Sequence, residues 1–141
     1  MSGFAIATIS TAGLIFLSLG AMHLYLTFFS RKLAPFDAAL EEGMKQTHPR
    51  LTRATTVWKA WVGFNASHST GAIFFGFFLL YAGISESDII RSLLVQFVVS
   101  VNSIFYLWLG RKYWFRVPFH GILLATLLVL SGFAHLNLAA L

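Results

Sequence analysis

Apolar residues gather into four long runs, from about Phe4 to Phe29, Val57 to Gly83, Ile90 to Gly110 and Pro118 to Leu138, separated by polar connections. A hydrocarbon core about 30 Å thick takes about 20 residues of helix to cross, and each run is long enough. Lipid leaves a backbone only helices or closed barrels, and barrel strands would alternate apolar and polar positions, which these runs do not. The runs end on Ser30-Arg31-Lys32, on Gly83 ahead of Ser85-Glu86-Ser87-Asp88, on Gly110-Arg111-Lys112, and the fourth opens after Arg116 at Pro118, a residue suited to a first helical turn. The pattern predicts an all-α fold: a polytopic membrane four-helix bundle forming a single domain over residues 1–141. The amino terminus carries no basic start and stays apolar for about 25 residues, which favours a retained span over a cleaved secretory signal.

The first connection, residues 30–56, is the only sizeable aqueous segment. From Pro35 to Lys45 the helical period puts Phe36, Leu40 and Met44 on one face and Asp37, Glu41 and Lys45 on the other, which predicts a short interfacial helix between spans 1 and 2. Thr47-His48-Pro49 ends it. The segment reads as a charged connector held at the membrane surface, or as a docking surface or lid for a partner.

Composition agrees with the pattern. Of 141 residues, 57% are hydrophobic and 11% charged, against about 25% charged in ordinary soluble domains. Six of the ten Lys and Arg residues (Arg31, Lys32, Lys45, Arg50, Arg53, Lys59) flank the first connection, and Arg111, Lys112 and Arg116 fill the third. By the positive-inside rule these connections face the cytoplasm and both termini face outward. Trp58, Trp61, Trp108 and Trp114 fall at the same ends of their spans, where indoles prefer the headgroup layer. The net charge of +5 therefore reads as orientation and contact with anionic lipid, not as a nucleic-acid surface.

All five carboxylates lie in connections or at span ends, so proton transport through a membrane-embedded acid lacks its usual group, as does carboxylate-assisted hydrolysis. The chain has no cysteine, which removes thiol redox chemistry, disulfides and thiolate metal sites. Histidine remains. At about 1.5 Å rise per residue, His23 lies about 10 Å from the cytoplasmic end of its span, Asn65 about 12 Å, His68 about 16 Å, and Asn102 and Ser103 about 10–12 Å. His120 is close to that surface and His135 is near the opposite one. One layer in the cytoplasmic half can thus gather His23, Asn65, His68 and Asn102 or Ser103, with Ser69 beside them. Trp58, Trp61, Asn65, His68 and Ala72 share one side of the second span, and Gly13, Phe16, Gly20, His23 and Thr27 one side of the first. Gln96, Ser100 and Ser103 form a polar stripe on the third, and such stripes face protein rather than lipid. Gly63, Ser67 and Gly71 make a small-residue stripe on another side of the second span, and Gly121 and Ala125 do so on the fourth, as expected where helices approach closely.

Three readings of the polar layer stand side by side. It is interhelical hydrogen bonding; or a site for a small ligand or lipid headgroup; or a pair of imidazoles, His23 and His68, ligating haem or a metal. No metal-binding motif such as HExxH is present, so those two histidines are the metal candidates. No catalytic constellation is visible either. The leading expectation is an integral membrane protein that is an accessory subunit or a binder of a small apolar ligand or lipid. Its partners are then the bilayer and other membrane subunits or further copies of itself. The alternatives are a haem- or metal-binding membrane redox protein and, third, a lipid-modifying enzyme or small transporter.

The segment from Thr55 to Ser69, with Trp58-x-x-Trp61-x-Gly63-Phe64-Asn65-x-Ser67-His68-Ser69 at its centre, is preceded by Lys32-Leu33-Ala34-Pro35 and Leu51-Thr52-Arg53. It resembles a family of small four-span bacterial membrane proteins of unknown function, chiefly over the first two spans and their connection. The resemblance implies a bacterial inner-membrane setting and brings with it no activity, cofactor or catalytic residue.

Overall fold

The computed structural model describes residues 2–139, and among them the architecture is all-α. The helices are α1 (Gly3–Phe29), α2 (Ala38–Gln46), α3 (Val57–Ile84), α4 (Leu93–Tyr113) and α5 (Arg116–Leu138), with a single 3-10 turn at Asp88–Arg91. Helices α1, α3, α4 and α5 are each long and apolar enough to cross a membrane. The first two expected spans match α1 and α3 to within a residue. The third begins later than hydropathy suggests, because Ile90 is buried within the 3-10 turn, which Ser92 closes by donating its N–H to the Ile89 carbonyl. It also runs past Gly110 to Tyr113, carrying Arg111 and Lys112 in its last turn, where positive charge suits the carbonyl end of a helix. Helix α5 starts at Arg116, so Pro118 falls in a first turn that lacks intrahelical partners for its N–H groups.

The chain divides into two compact units, Met1–Leu19 with Ala72–Leu141, and Gly20–Gly71. In the first, segments of all four long helices surround one core that includes Ile9, Phe16, Leu79, Val99, Val129 and Phe133. Phe16 sits in it with its ring edge-on to Phe75 at 4.9 Å and Tyr106 at 5.8 Å. Helices α1 and α3 cross there at two glycines. A Cβ on Gly13 would stand 2.7 Å from the Gly76 carbonyl oxygen and against the Leu80 amide, and one on Gly76 would stand 2.6 Å from the Gly13 carbonyl and against the Leu17 amide. Two turns further along α3, Gly83 leaves the space that the Ser10 hydroxyl fills.

These glycines are not the expected small-residue stripe on α3. Gly63, Ser67 and Gly71 are exposed, and a Cβ on Gly63 would meet nothing within 4 Å. The close approach uses Gly76 and Gly83, which with Ser69 form a buried row on α3 spaced by seven residues, or two helical turns. On α5 the expected small pair is at a contact: Ala125 is fully buried, and a Cβ on Gly121 would lie 3.0 Å from a Leu19 methyl.

Polar links in this unit are local to the helix joints. Thr126 Oγ1 donates to the Ser103 carbonyl at 3.4 Å, tying α5 to α4, and Asn137 Nδ2 donates to Gln96 Oε1 at 2.9 Å while Gln96 Nε2 reaches the Ile90 carbonyl. Since lipid offers no competing partner, such bonds hold α4 and α5 in register.

The second unit comprises the last turns of α1, the connection with α2, and the first turns of α3. Asp37 caps α2 by accepting from the Ala39 amide, and Thr47 ends it. His48 Nδ1 lies 2.7 Å from the Thr55 carbonyl and the Val57 amide donates to the Thr47 carbonyl, so the connection closes on itself before α3 begins.

Candidate functional site

Within the second unit, α1 brings His23 and α3 brings Asn65, His68 and Ser69. Asn65 Nδ2 donates to the Trp61 carbonyl one turn back, at 2.8 Å, which leaves its Oδ1 facing α1. There it lies 2.9 Å from His23 Nε2. Because an amide oxygen only accepts, the His23 proton on that side is on Nε2. The rings of His23 and His68 meet edge to face, with centroids 5.6 Å apart and planes at 86°. Ser69, fully buried, donates to the Asn65 carbonyl at 2.7 Å, and Thr27 donates to the His23 carbonyl at 2.8 Å. One hydrogen bond, between His23 and Asn65, thus crosses from α1 to α3, and the Ser69 and Thr27 hydroxyls are satisfied by carbonyls of their own helices.

Of the residues expected in one layer, the structure joins His23, Asn65, His68 and Ser69. Asn102 and Ser103 belong to the other unit. Ser103 is fully buried there, its hydroxyl donating to the Val99 carbonyl at 2.9 Å, and Asn102 is half-buried on α4. Of the other histidines, His135 packs its ring on Phe4, and His120 is exposed beside Phe119. Among the described residues there is no group of three or more His, Cys, Asp or Glu placed to hold a metal ion.

Sequence reasoning missed Glu41. One residue of the expected polar face of α2 turns inward: Glu41 is 6% exposed, whereas Asp37 and Lys45 are exposed, as are Leu40 at 56% and Phe36 on the apolar side. The Glu41 carboxylate accepts from Arg31 Nη2 at 2.6 Å on one oxygen and from Lys45 Nζ at 2.7 Å on the other. The Lys45 ammonium also lies over the Trp58 ring, 5.6 Å from its centroid. The hydrogen bond from Lys45 holds the Glu41 carboxyl below its ordinary pKa; burial opposes this, and the charges of Arg31 and Lys45 reinforce it. The signal that marks this cluster is the Glu41–Lys45 spacing of four residues together with a basic pair directly after the first span.

A cavity of about 80 Å³ opens below the cluster. Arg31 and Glu41 line its mouth, Trp58, Trp61 and Val62 its wall, and Asn65 its inner end. From Trp58 to Asn65 is about 10 Å along the helix axis. The cavity therefore leads from the ends of two candidate spans to the amide that holds His23.

Fold and site together define a multi-pass helical membrane protein with a polar joint inside its spans and an ion-paired pocket at their ends. Compared with family models, with curated proteins and with solved structures, the chain matches none.

Proposed function

We propose that the protein is a non-enzymatic component of a bacterial inner membrane, both termini outside the cytoplasm, that binds a small apolar ligand or lipid at the His23, Asn65 and His68 cluster, alone or as an accessory subunit. The observation that supports this reading is the cavity that starts at the ends of two candidate spans and reaches Asn65, the residue that joins α1 to α3. A purely structural polar joint has no need of an open approach from the membrane surface. The contact between the His23 and His68 rings favours a second reading, a haem- or metal-binding redox protein, in which His23 would give up its bond to Asn65 in exchange for a metal.

The test separates glue from site. Asn65→Leu and His68→Leu are each expected to remove co-purifying ligand while lowering stability in detergent by about 1 kcal/mol, the scale of an interhelical hydrogen bond in lipid. Ligand retained at full occupancy in both variants, with stability reduced, would leave the cluster as interhelical glue. For orientation, nine of the ten basic residues lie in the connection between α1 and α3 or within one helical turn of it or of the α4–α5 connection. Reporters fused to the carboxyl terminus should therefore be active only outside the cytoplasm; a cytoplasmic carboxyl terminus reverses the arrangement.

A further inference from the structure

Arg31 and Glu41 line the cavity mouth, and Lys45, outside the lining, is held beside it by Glu41 and the Trp58 ring; the three carry two positive charges and one negative, one charge short of balance. Glu41 supplies a single negative charge and shares it, one oxygen to each cation. Its burial gives it a different role: it fixes a guanidinium and an ammonium on either side of a single carboxylate. Arg31 spends one nitrogen on Glu41, its side chain remains 81% exposed, and its planar fork has further N–H donors to offer. Lys45 likewise has three donors and is bound to Glu41 through one contact. Trp58 and Trp61, rings that favour the interfacial layer, wall the space below.

We propose that Arg31 and Lys45, set by Glu41, receive the phosphate of an anionic amphiphile whose first atoms beyond the phosphate enter the cavity toward Asn65. A single negative charge balances the mouth, and a phosphate offers oxygens to both cations at once, which an uncharged head cannot do. The volume sets the rest. An apolar cavity of about 150 Å³ holds one benzene, so the 80 Å³ here takes a group of a few heavy atoms, smaller than a benzene ring, and leaves acyl chains outside the helices. The inference rests on reading the cavity as a ligand site and adds to it the chemistry of the head.

The test is native mass spectrometry of the full chain in neutral detergent, titrated with dioleoyl phosphatidylglycerol and with dioleoylglycerol, which has the same chains and no phosphate. Phosphatidylglycerol should bind the more tightly. Arg31→Gln and Lys45→Gln, each of which leaves Glu41 one cation, should weaken it about tenfold, the size of one charge-assisted hydrogen bond. Lys45→Arg should restore it. The double variant Arg111→Gln, Lys112→Gln, on the other basic connection, should bind as the parent does. Equal binding of the two lipids, or equal loss in the Arg111, Lys112 variant, overturns the phosphate site while leaving the cavity a ligand site. No lipid of either kind retained by the parent overturns the ligand reading itself. Competition by soluble glycerol phosphate at equal concentration assigns the site to a free phosphate ester; without competition, the phosphate is recognised as part of a lipid.

Discussion

Gly13→Leu is expected to abolish the folded protein, and Gly13→Ala to destabilise it by about 3 kcal/mol, the upper end of what overpacking costs. The reason is what the new atoms would strike. A Cβ at Gly13 meets the Gly76 carbonyl at 2.7 Å and the Leu80 backbone nitrogen, and neither is the tip of a flexible side chain that could swing away. Relief requires α1 and α3 to separate, which opens the core around Phe16. Gly76→Ala should act alike, since its Cβ would meet the Gly13 carbonyl and the Leu17 backbone. Gly63→Ala is the control. It lies on the same helix as Gly76, has open space at its Cβ, and should gain about 0.5–1 kcal/mol because glycine disfavours a helix interior. Thermal unfolding in detergent, followed by the monodisperse fraction remaining, measures all of these. Gly13→Ala as stable as Gly63→Ala would mean that the helices do not cross here.

The contrast between Gly76 and Gly63 also shows where the sequence stops being legible. That four helices exist follows from length and hydropathy, because lipid demands about 20 apolar residues and permits no other regular backbone outside a barrel. Which face of a helix turns inward does not follow in the same way. In water an inward face announces itself by being apolar, but lipid is as apolar as a core, so both sides of α3 are made of the same residues. Small residues are then the remaining guide, and α3 carries two rows of them. Gly63, Ser67 and Gly71 have the familiar spacing of four; Ser69, Gly76 and Gly83, spaced by seven, are the row that is buried. Polar residues are better guides, because an unpartnered hydrogen-bonding group is expensive on either side. That is why the inward positions of His23, Asn65, His68 and Ser69 were readable.

Glu41 was unreadable for the opposite reason. An interfacial helix is read with its apolar face toward lipid and its charged face in water, and Glu41 departs from the second half of that reading. Beside a bilayer the outward direction can be apolar, so Leu40 and Phe36 are outside, and the charged residue folds in to meet the cations at the end of α1 and in its own last turn. The chain's return into α3, which places the Trp58 ring under Lys45, completes the ion-paired site on that inward side.

The docking of α2 should consequently respond to pH through one group. Glu41 has its pKa held below the ordinary 4.5 in the folded connection, so protons bind more readily to the undocked form. The stabilisation is complete above 4.5 and drains away as pH falls through the lowered value, leaving the bundle of apolar spans in place. The chain has no cysteine, so a single Leu40→Cys substitution on the exposed face of α2 accepts one spin label. Its spectrum should be that of an ordered helix at neutral pH and should sharpen toward free motion several-fold as pH drops below 4.5. Adding Glu41→Gln should give a mobile label at every pH, because the amide no longer holds Arg31 and Lys45 and the carboxylate that couples their pairing to pH is gone. The other carboxylate on α2, Glu42, is exposed and bonded only to Gln46, so Glu42→Gln should leave the pH response intact. If instead Glu41→Gln keeps an ordered label and the same transition, the connection is held by its backbone closure between Thr47 and Val57, and the ion pairs at the cavity mouth are incidental to it.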